Sequence, residues 1–293
     1  MRVLLVDIGN SRIKWRVADL AEPWSAEAAP HHAGVVAHAE RGTLAARWQA
    51  VAPGAIGAAY LANVADDSHA HAVGAAIRAV WGEIAIHNLV PRASQCGVVN
   101  GYRDPAQLGA DRWALLIGAH ARFPRQTLVI ASLGTATTIA LLTSVDASDG
   151  ASNCSSAARF EGGLILPGIE AMRRSLARDT ARLPLADGRV VAFADNTDDA
   201  IASGIVSAQA GAISRAMRDA TTRLARTGGA LRTVRCILTG GAAGLVAPHL
   251  GCNATIENNL VLQGLFCIAG EETTIRDTGD AVREPVHVSQ REA

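Results

Sequence analysis

Two stretches of the sequence share one pattern, in which an apolar run meets a short turn of small residues and a second extended run follows. The first stretch covers residues 3–17 and the second covers residues 127–142. This pattern is typical of a β-hairpin that begins with a buried strand. When Gly9 is aligned with Gly134, the two turns lie 125 residues apart. A unit repeated at that distance predicts two related halves that face each other.

The first turn combines residue types that suit a phosphate group and a metal ion. Gly9, Asn10 and Ser11 form the turn, and its backbone N–H groups can approach an anion because the side chains are small. Asp7 ends the first strand and can bind Mg²⁺ directly or through water. Lys14, in the second strand, is the only lysine among 27 basic residues. With Asp7 and the turn beside it, a phosphate contact is favoured over a solvated hairpin face.

The composition argues against several classes of protein. The formal net charge is zero, so no overall field favours nucleic acid or an anionic membrane. The five cysteines are scattered without metal-ligand spacing, which predicts thiols in a reducing compartment. No apolar run approaches the length of about 20 residues that spans a bilayer, and the run before Asp7 is too short for a signal peptide. The sequence therefore predicts a cytoplasmic protein without nucleic-acid or membrane partners.

Periodicity and capping signals predict the remaining elements. Strands are expected at residues 57–64, 160–167 and 234–239, and helices at 67–81, 105–123, 168–181, 197–226 and 258–270. Residues 97–104 are expected to form a loop. The charged segment after the last helix is expected to be disordered. The predicted organisation is an N-terminal subdomain at 1–120, a C-terminal subdomain at 121–272 and a tail at 273–293.

A third glycine turn, Gly240-Gly241, follows the strand at 234–239. In this order the three turns resemble the two phosphate loops and the adenosine loop of the actin-like ATPase superfamily. Three longer motifs are similar to those of the type III pantothenate kinase family within it: Asp7-x-Gly9-Asn10-Ser11-x-x-Lys14, Tyr102-x-x-Pro105-x-x-Leu108-Gly109-x-Asp111-Arg112 and Gly134-Thr135-Ala136-Thr137-Thr138. The motifs Gly162-Gly163-x-Ile165-x-Pro167-Gly168 and Thr180-x-x-Leu183-Pro184 also match, and the resemblance covers residues 2–270.

The resemblance implies a fold, a reaction and a set of site residues. The fold would be α/β, with duplicated ribonuclease H-like (actin-like ATPase) domains and mixed sheets flanked by helices, in a homodimer whose substrate site lies near the subunit interface. The reaction would be ATP-dependent phosphorylation of pantothenate to 4′-phosphopantothenate, the first step of coenzyme A biosynthesis. ATP, with Mg²⁺ beside Asp7, would contact Asp7, Ile8, Gly9, Asn10, Ser11, Arg12, Ile13, Lys14 and Thr135. Pantothenate would contact Tyr102, Gly109, Ala110, Asp111, Arg112 and Thr180.

Asp111 and Arg112 are a chemically suitable pair for this substrate. Phosphoryl transfer to a primary hydroxyl needs a carboxylate that orients the oxygen and accepts its proton, which is the role predicted for Asp111. The guanidinium of Arg112 suits a substrate carboxylate, and pantothenate has both groups. An exposed ion pair on a helix surface is the commoner fate of such residues. The neighbouring Gly109 and Tyr102 favour the functional interpretation.

The sequence departs from the family pattern at Ser132, two residues before the second turn's glycine. The family usually has Asp there, where it helps to bind a monovalent cation, K⁺ or NH₄⁺. A hydroxyl can ligate through oxygen but supplies no charge, so altered or absent cation dependence is expected. Ala140 also replaces a carboxylate often found after the second turn. Asp7, Lys14 and Asp111 are present, which favours an active kinase.

Two alternatives remain open at this point. The family includes proteins first described as accessory factors in virulence gene regulation, and a chain with Ser132 could bind a ligand without fast turnover. Zero net charge and the lack of a basic stripe count against direct DNA binding by such a regulator. Another actin-like small-molecule kinase, such as a sugar kinase, is disfavoured by the run Gly109-x-Asp111-Arg112.

Overall fold

The chain is described by a computed structural model over residues 1–25, 32–51, 54–145, 157–226 and 233–281. Its first sheet has the order β3-β2-β1-β4-β5 and contains β1 (Arg2–Ile8), β2 (Arg12–Asp19), β3 (Ala33–Ala37), β4 (Ala58–Asn63) and β5 (Ala85–Asn88). Its second sheet has the order β12-β11-β8-β9-β10-β7-β6 and contains β6 (Ser94–Gln95), β7 (Val98–Asn100), β8 (Thr127–Leu133), β9 (Ala136–Val145), β10 (Ala157–Pro167), β11 (Val234–Thr239) and β12 (Ala254–Ile256).

Helices cover the sheets and connect their strands. The α-helices are α1 (Leu44–Val51), α2 (Asp67–Trp81), α3 (Ala110–Arg122), α4 (Ile169–Asp179), α5 (Thr197–Arg226), α6 (Ala243–Val246) and α7 (Leu260–Ala281). Short 3-10 helices lie at His38–Thr43, Pro105–Gln107 and Ala247–His249. None of the helices in the described ranges combines the length and apolarity needed to cross a membrane.

The two sheets repeat one five-stranded topology. In the first, β1 pairs antiparallel with β2 and parallel with β4, while β3 extends the β2 side and β5 extends the β4 side. In the second, β8 takes the place of β1, and β9, β10, β11 and β12 take the places of β2 to β5 with the same strand directions. The duplicated α/β fold with mixed sheets is therefore confirmed.

The halves pack through the helix that ends each unit, α3 and α7. Their axes approach closely at two glycines, because a Cβ at Gly118 would overlap the Leu260 carbonyl and a Cβ at Gly264 would overlap the Ala114 carbonyl. Strand β1 is buried on both faces, since alternate residues point to opposite sides of the sheet. One face joins the core shared with α3 and α7, and the other joins a separate core beneath α1 and α2.

The structure corrects the predicted segment at residues 97–123. Val98–Asn100 forms β7 rather than loop, and the helix predicted from Pro105 is divided into two. Asp104 caps the 3-10 helix by accepting from the N–H of Ala106 at 3.0 Å. The backbone at Leu108 and Gly109 is extended, so α3 begins only at Ala110. This break places Asp111 in the first turn of a helix.

The last helix is longer than predicted and runs to Ala281 rather than to residue 270. Its acidic residues have partners from a distant part of the chain: a Glu271 carboxylate oxygen accepts from the Cys96 N–H at 2.9 Å, and Glu272 pairs with Arg92 at 3.1 Å. The expected disorder at 271–281 is therefore wrong, and residues 282–293 lie outside the described ranges. The division at residue 120 stays a prediction; β6 and β7, which precede it, join the second sheet.

Candidate active site

The two glycine turns meet at the carboxyl ends of β1 and β8. The hydroxyl oxygens of Ser11 and Thr135 are 2.8 Å apart and share a hydrogen bond, although the residues are 124 positions apart in the chain. The first turn is closed by the Gly9 N–H, which donates to the Arg12 carbonyl at 3.1 Å. Both turns are solvent-accessible at their tips. The two halves therefore bring together backbone turns that can surround a chain of phosphates.

The turns are related but unequal. Three residues separate β1 from β2, whereas two separate β8 from β9. In the strand pairing Asp7 lies opposite Lys14, and the equivalent pair in the second half is Ser132 opposite Thr138. Only the first turn therefore carries a carboxylate and an ammonium at its base. The second turn offers neutral hydroxyl groups at the same register positions.

Two further glycine segments support the second turn. Gly240 has a φ of 93°, in the left-handed region, and a Cβ there would overlap the Leu133 carbonyl. The Ala242 N–H donates to that same carbonyl at 3.2 Å. On the other side, the Gly168 N–H donates to the Thr135 carbonyl at 3.2 Å, and a Cβ on Gly168 would leave no room for this contact. The motifs that resembled family loops thus pack directly on the turn.

Asp7 is buried and carries a perturbed carboxyl group. Its exposed fraction is 9%. Burial raises the pKa of Asp7 to about 6; Lys14 lowers this value in part, and the charge of Asp111 raises it further. The start of α3 lies close to the first turn, because a Cβ at Gly109 would lie 3.6 Å from the Val64 side chain, and the Val64 N–H donates to the Ile8 carbonyl at 3.1 Å. A dominant desolvation effect on a carboxyl group in a cleft is a common feature of functional sites.

Asp111 is held in place by the backbone around it. One of its carboxylate oxygens accepts from the Arg112 N–H at 2.7 Å. Gly109 precedes the helix, and a Cβ at that position would lie 2.8 Å from the same carboxylate oxygen. Burial raises the pKa of Asp111, while its hydrogen bond to the Arg112 N–H and the charge of Arg112 lower it in part. A carboxylate with a raised pKa is a stronger base at neutral pH.

The guanidinium of Arg112 lies against the rings of Tyr102 and Phe160, and one of its nitrogens has no hydrogen-bond partner among the described residues. Arg112 is 8% exposed, and its Nη1 donates to the Tyr102 hydroxyl at 3.0 Å. The guanidinium carbon lies 5.7 Å from the Tyr102 ring centre and 5.8 Å from that of Phe160. Nη2 is buried without a hydrogen-bond partner among the described residues. A buried, unpaired charged donor favours an anionic ligand at this position.

Phe160 is a contributor that the sequence did not indicate. It reaches Tyr102, with ring centres 5.1 Å apart, because β10 pairs with β7 and places Phe160 opposite Asn100. The Asn100 side chain in turn accepts from the Tyr102 N–H at 3.1 Å. Strand β7 lies in the segment predicted as loop, so no local pattern in the sequence could have revealed its pairing with β10.

Some predicted contact residues point elsewhere in the structure. The side chains of Ile8 and Ile13 are fully buried in the core under α1 and α2, and that of Ala110 packs in the other core. These residues can meet a ligand only through their backbone. Thr180 is the C-cap residue that follows α4; its hydroxyl donates to the Leu176 carbonyl at 2.7 Å, and the residue is exposed. Its contact with pantothenate stays a prediction.

Two facing halves of this topology form the architecture of actin-like ATPases. The carboxylates of Asp7 and Asp111 beside the phosphate-type turns are the groups that a small-molecule kinase of that class needs. Comparison with known proteins narrows the class. The sequence model described as type III pantothenate kinase matches residues 3–219.

Whole-chain relatives agree with this match, and each of the following is named Type III pantothenate kinase. The protein from Cupriavidus taiwanensis is 44% identical over 286 residues, with 91% of this chain and 97% of the relative covered. The protein from Janthinobacterium sp. strain Marseille is 43% identical over 277 residues, with the same coverage of both chains. The protein from Aromatoleum aromaticum is 43% identical over 270 residues, with 92% and 98% covered. The chain belongs to the type III pantothenate kinase family.

Proposed function

We propose that the protein transfers the γ-phosphoryl group of ATP to the primary hydroxyl of pantothenate, yielding 4′-phosphopantothenate in the first step of coenzyme A biosynthesis. The carrying observation is the start of α3, where the buried Arg112 has a guanidinium nitrogen without a hydrogen-bond partner among the described residues and the half-buried Asp111 precedes it in the same helical turn. A base and an anion-binding group one residue apart suit a substrate that has a hydroxyl and a carboxylate. The family name of the relatives supports the same substrate.

Each residue has a defined role in this proposal. Asp111 orients the pantothenate hydroxyl and accepts its proton as the oxygen attacks the γ-phosphorus. Arg112 binds the pantothenate carboxylate through its free nitrogen. The two glycine turns and Lys14 bind the phosphates, and their fixed dipoles and charge stabilise the transferring group.

The family's use of ATP implies a divalent metal, and Asp7 suits Mg²⁺. Mg²⁺ commonly binds through one or two carboxylates, with phosphates and water completing its shell. Within the described ranges no cluster of three or more His, Cys, Asp or Glu side chains forms a metal site of its own. Asp7 is a single buried carboxylate with a pKa raised to about 6, and one carboxylate suits a Mg²⁺ ion that binds together with ATP. When bound, Mg²⁺ would neutralise phosphate charge.

The direct test is an ADP-release assay with Mg-ATP and pantothenate. We expect ADP release that depends on pantothenate and does not occur with glucose or glycerol. Turnover of a sugar in place of pantothenate would favour another actin-like kinase. No turnover by the folded protein would contradict the proposal and favour the accessory-factor alternative, which a titration with labelled duplex DNA at low salt would then examine.

Arg112→Gln is expected to raise KM for pantothenate about 10- to 100-fold, because a charge-assisted hydrogen bond contributes about 1.5–3 kcal/mol. The KM for ATP should change little, since Arg112 lies at the substrate end of the site. The control is Arg103→Gln in the preceding loop, where the side chain is exposed. Steady-state kinetics with each substrate varied would give both constants. An equal rise in the two KM values would contradict the assignment of Arg112.

Ser132 provides a prediction about monovalent cations. We expect turnover to be nearly the same in potassium, ammonium and sodium salts, because a hydroxyl adds no charge to the position opposite Thr138. Ser132→Asp should introduce stimulation by K⁺ or NH₄⁺. The measurement is kcat across the salts at constant ionic strength. Strong potassium activation of the unmodified protein would contradict it.

We further propose a cytoplasmic homodimer that binds neither nucleic acid nor membrane. The zero net charge supports the absence of a nucleic-acid partner. Leu164 and Ile165 on β10 are 49% and 66% exposed, and Phe193 is 98% exposed, which supports a partner surface on the C-terminal half. Light scattering after size-exclusion chromatography should give twice the chain mass of 30.4 kDa. A mass equal to one chain would contradict the dimer.

A further inference from the structure

A histidine outside the predicted site residues contacts the first phosphate turn. His38 begins the 3-10 helix that follows β3, and its Nε2 lies 2.7 Å from the Gly9 carbonyl oxygen. A carbonyl only accepts, so Nε2 carries the hydrogen and donates it. The contact joins residues 29 positions apart. This hydrogen bond connects the His38 side chain to the backbone of the first turn at Gly9.

The contact fixes the direction of a peptide group. All peptide bonds in the described ranges are trans. In a trans peptide, the carbonyl of one residue and the N–H of the next point in opposite directions. When the Gly9 carbonyl is held on His38, the Asn10 N–H must point away from His38, and Asn10 at the tip of the turn is exposed. Glycine would otherwise allow this peptide to rotate at little cost.

A second histidine holds the first one in place. The His69 ring stacks on the His38 ring with centres 3.7 Å apart and planes inclined by 21°. His69 lies in the first turn of α2, whose N-cap residue Asp66 accepts from the Ser68 N–H at 2.8 Å. The stack therefore links the first turn to the rigid start of a helix.

The nitrogens of this pair indicate an uncharged stack. The Nδ1 atoms of His38 and His69 are both buried without a hydrogen-bond partner among the described residues. A protonated ring would bury an unpaired N–H there, whereas a neutral ring leaves only a lone pair. Burial lowers the pKa of His69, and the charge of Arg41 adds to this effect, while Asp66 opposes it. The contact with Gly9 requires a hydrogen on Nε2 of His38.

We propose that His38, held by its stack on His69, is a positioning residue for nucleotide binding: it fixes the Gly9 carbonyl so that the Asn10 N–H faces the phosphates of ATP. This proposal rests on the nucleotide site of the proposed function and adds a residue outside the glycine turns. It does not depend on which small molecule accepts the phosphoryl group. His38 does not touch the reacting atoms in this account.

Two variants separate the hydrogen bond from the ring. His38→Phe keeps an aromatic ring on His69 and removes the donor, whereas His38→Gln removes the ring and keeps a donor at a similar reach to Nε2. The control is His71→Ala, because His71 lies on the same α2 helix but is exposed. The first measurement is the Kd of a non-hydrolysable Mg-ATP analogue by calorimetry, which needs no acceptor substrate. The second is KM for ATP and for pantothenate.

We expect His38→Phe to raise the nucleotide Kd about tenfold, which is the loss of one hydrogen bond of about 1–1.5 kcal/mol. His38→Gln should restore most of the affinity, and the KM for pantothenate should stay near that of the unmodified protein in both variants. An unchanged Kd in His38→Phe, or an equal loss in both variants, would overturn the proposal. If pantothenate is not turned over but the Kd pattern appears, the proposed function fails and the role of His38 stands.

Discussion

Asp111→Asn is expected to lower kcat by about 10²–10⁴-fold, the range typical for loss of a general acid–base group. The change keeps the size of the side chain and an oxygen that can accept from the Arg112 N–H, so the helix start should remain intact. What it removes is the basic carboxylate whose pKa is raised by burial. The measurement is pantothenate-dependent ADP release under saturating substrates, with thermal unfolding recorded beside it.

The matched control for this variant is Asp67→Asn, since Asp67 is an exposed aspartate in the first turn of α2. It should retain full activity. The pH profile gives an independent readout, because an ionised Asp111 is required for proton acceptance. In the unmodified protein kcat/KM should fall as the pH drops through the raised pKa values of Asp111 and Asp7, the latter about 6. A folded Asp111→Asn protein with normal kcat would exclude Asp111 as the base.

Asp7→Asn is expected to have opposite effects on activity and stability. The folded-state pKa of Asp7 is about 6, above its ordinary value of 3.8, mainly because burial disfavours the charged form. Stability that is present below pH 3.8 is therefore lost as the pH rises through about 6. A difference of about two pKa units corresponds to about 3 kcal/mol at most, so the neutral amide should raise the free energy of unfolding at pH 7.5 by about 1–3 kcal/mol. This applies to the protein without nucleotide.

The same change should reduce turnover by about 10²–10³-fold, as expected when a preorganised charge of an active site is removed. Urea unfolding of both proteins at pH 4 and pH 7.5 would show the stability effect, which should nearly vanish at the lower pH. Asp67→Asn again serves as the control and should alter stability by less than about 0.5 kcal/mol. Equal destabilisation of Asp7→Asn at both pH values would show that the carboxylate is paired and stabilising in the fold.

The sequence was sufficient for the elements that have a strong local pattern. The hairpin at residues 3–17 and its repeat at 127–142 appear as β1–β2 and β8–β9, because alternation of apolar residues and a small-residue turn specify both strands and the reversal between them. The helix predicted at residues 67–81 appears as α2, because Asp66 before it is a capping residue type whose carboxylate accepts from the Ser68 N–H. The family and its fold follow from the same short motifs.

Other parts of the site depend on residues that meet only after folding. Phe160 reaches Tyr102 through the pairing of β10 with β7, and His38 reaches Gly9 through the packing of a 3-10 helix on the first turn. The charged residues after position 270 continue α7, because the Glu271 carboxylate accepts a hydrogen bond from the N–H of Cys96, which is distant in the chain. The sequence by itself determined the strands, the turns and the chemical groups that they carry. The tertiary structure alone decided which distant groups share a buried space, because that depends on long-range contacts that leave no periodic signal in the sequence.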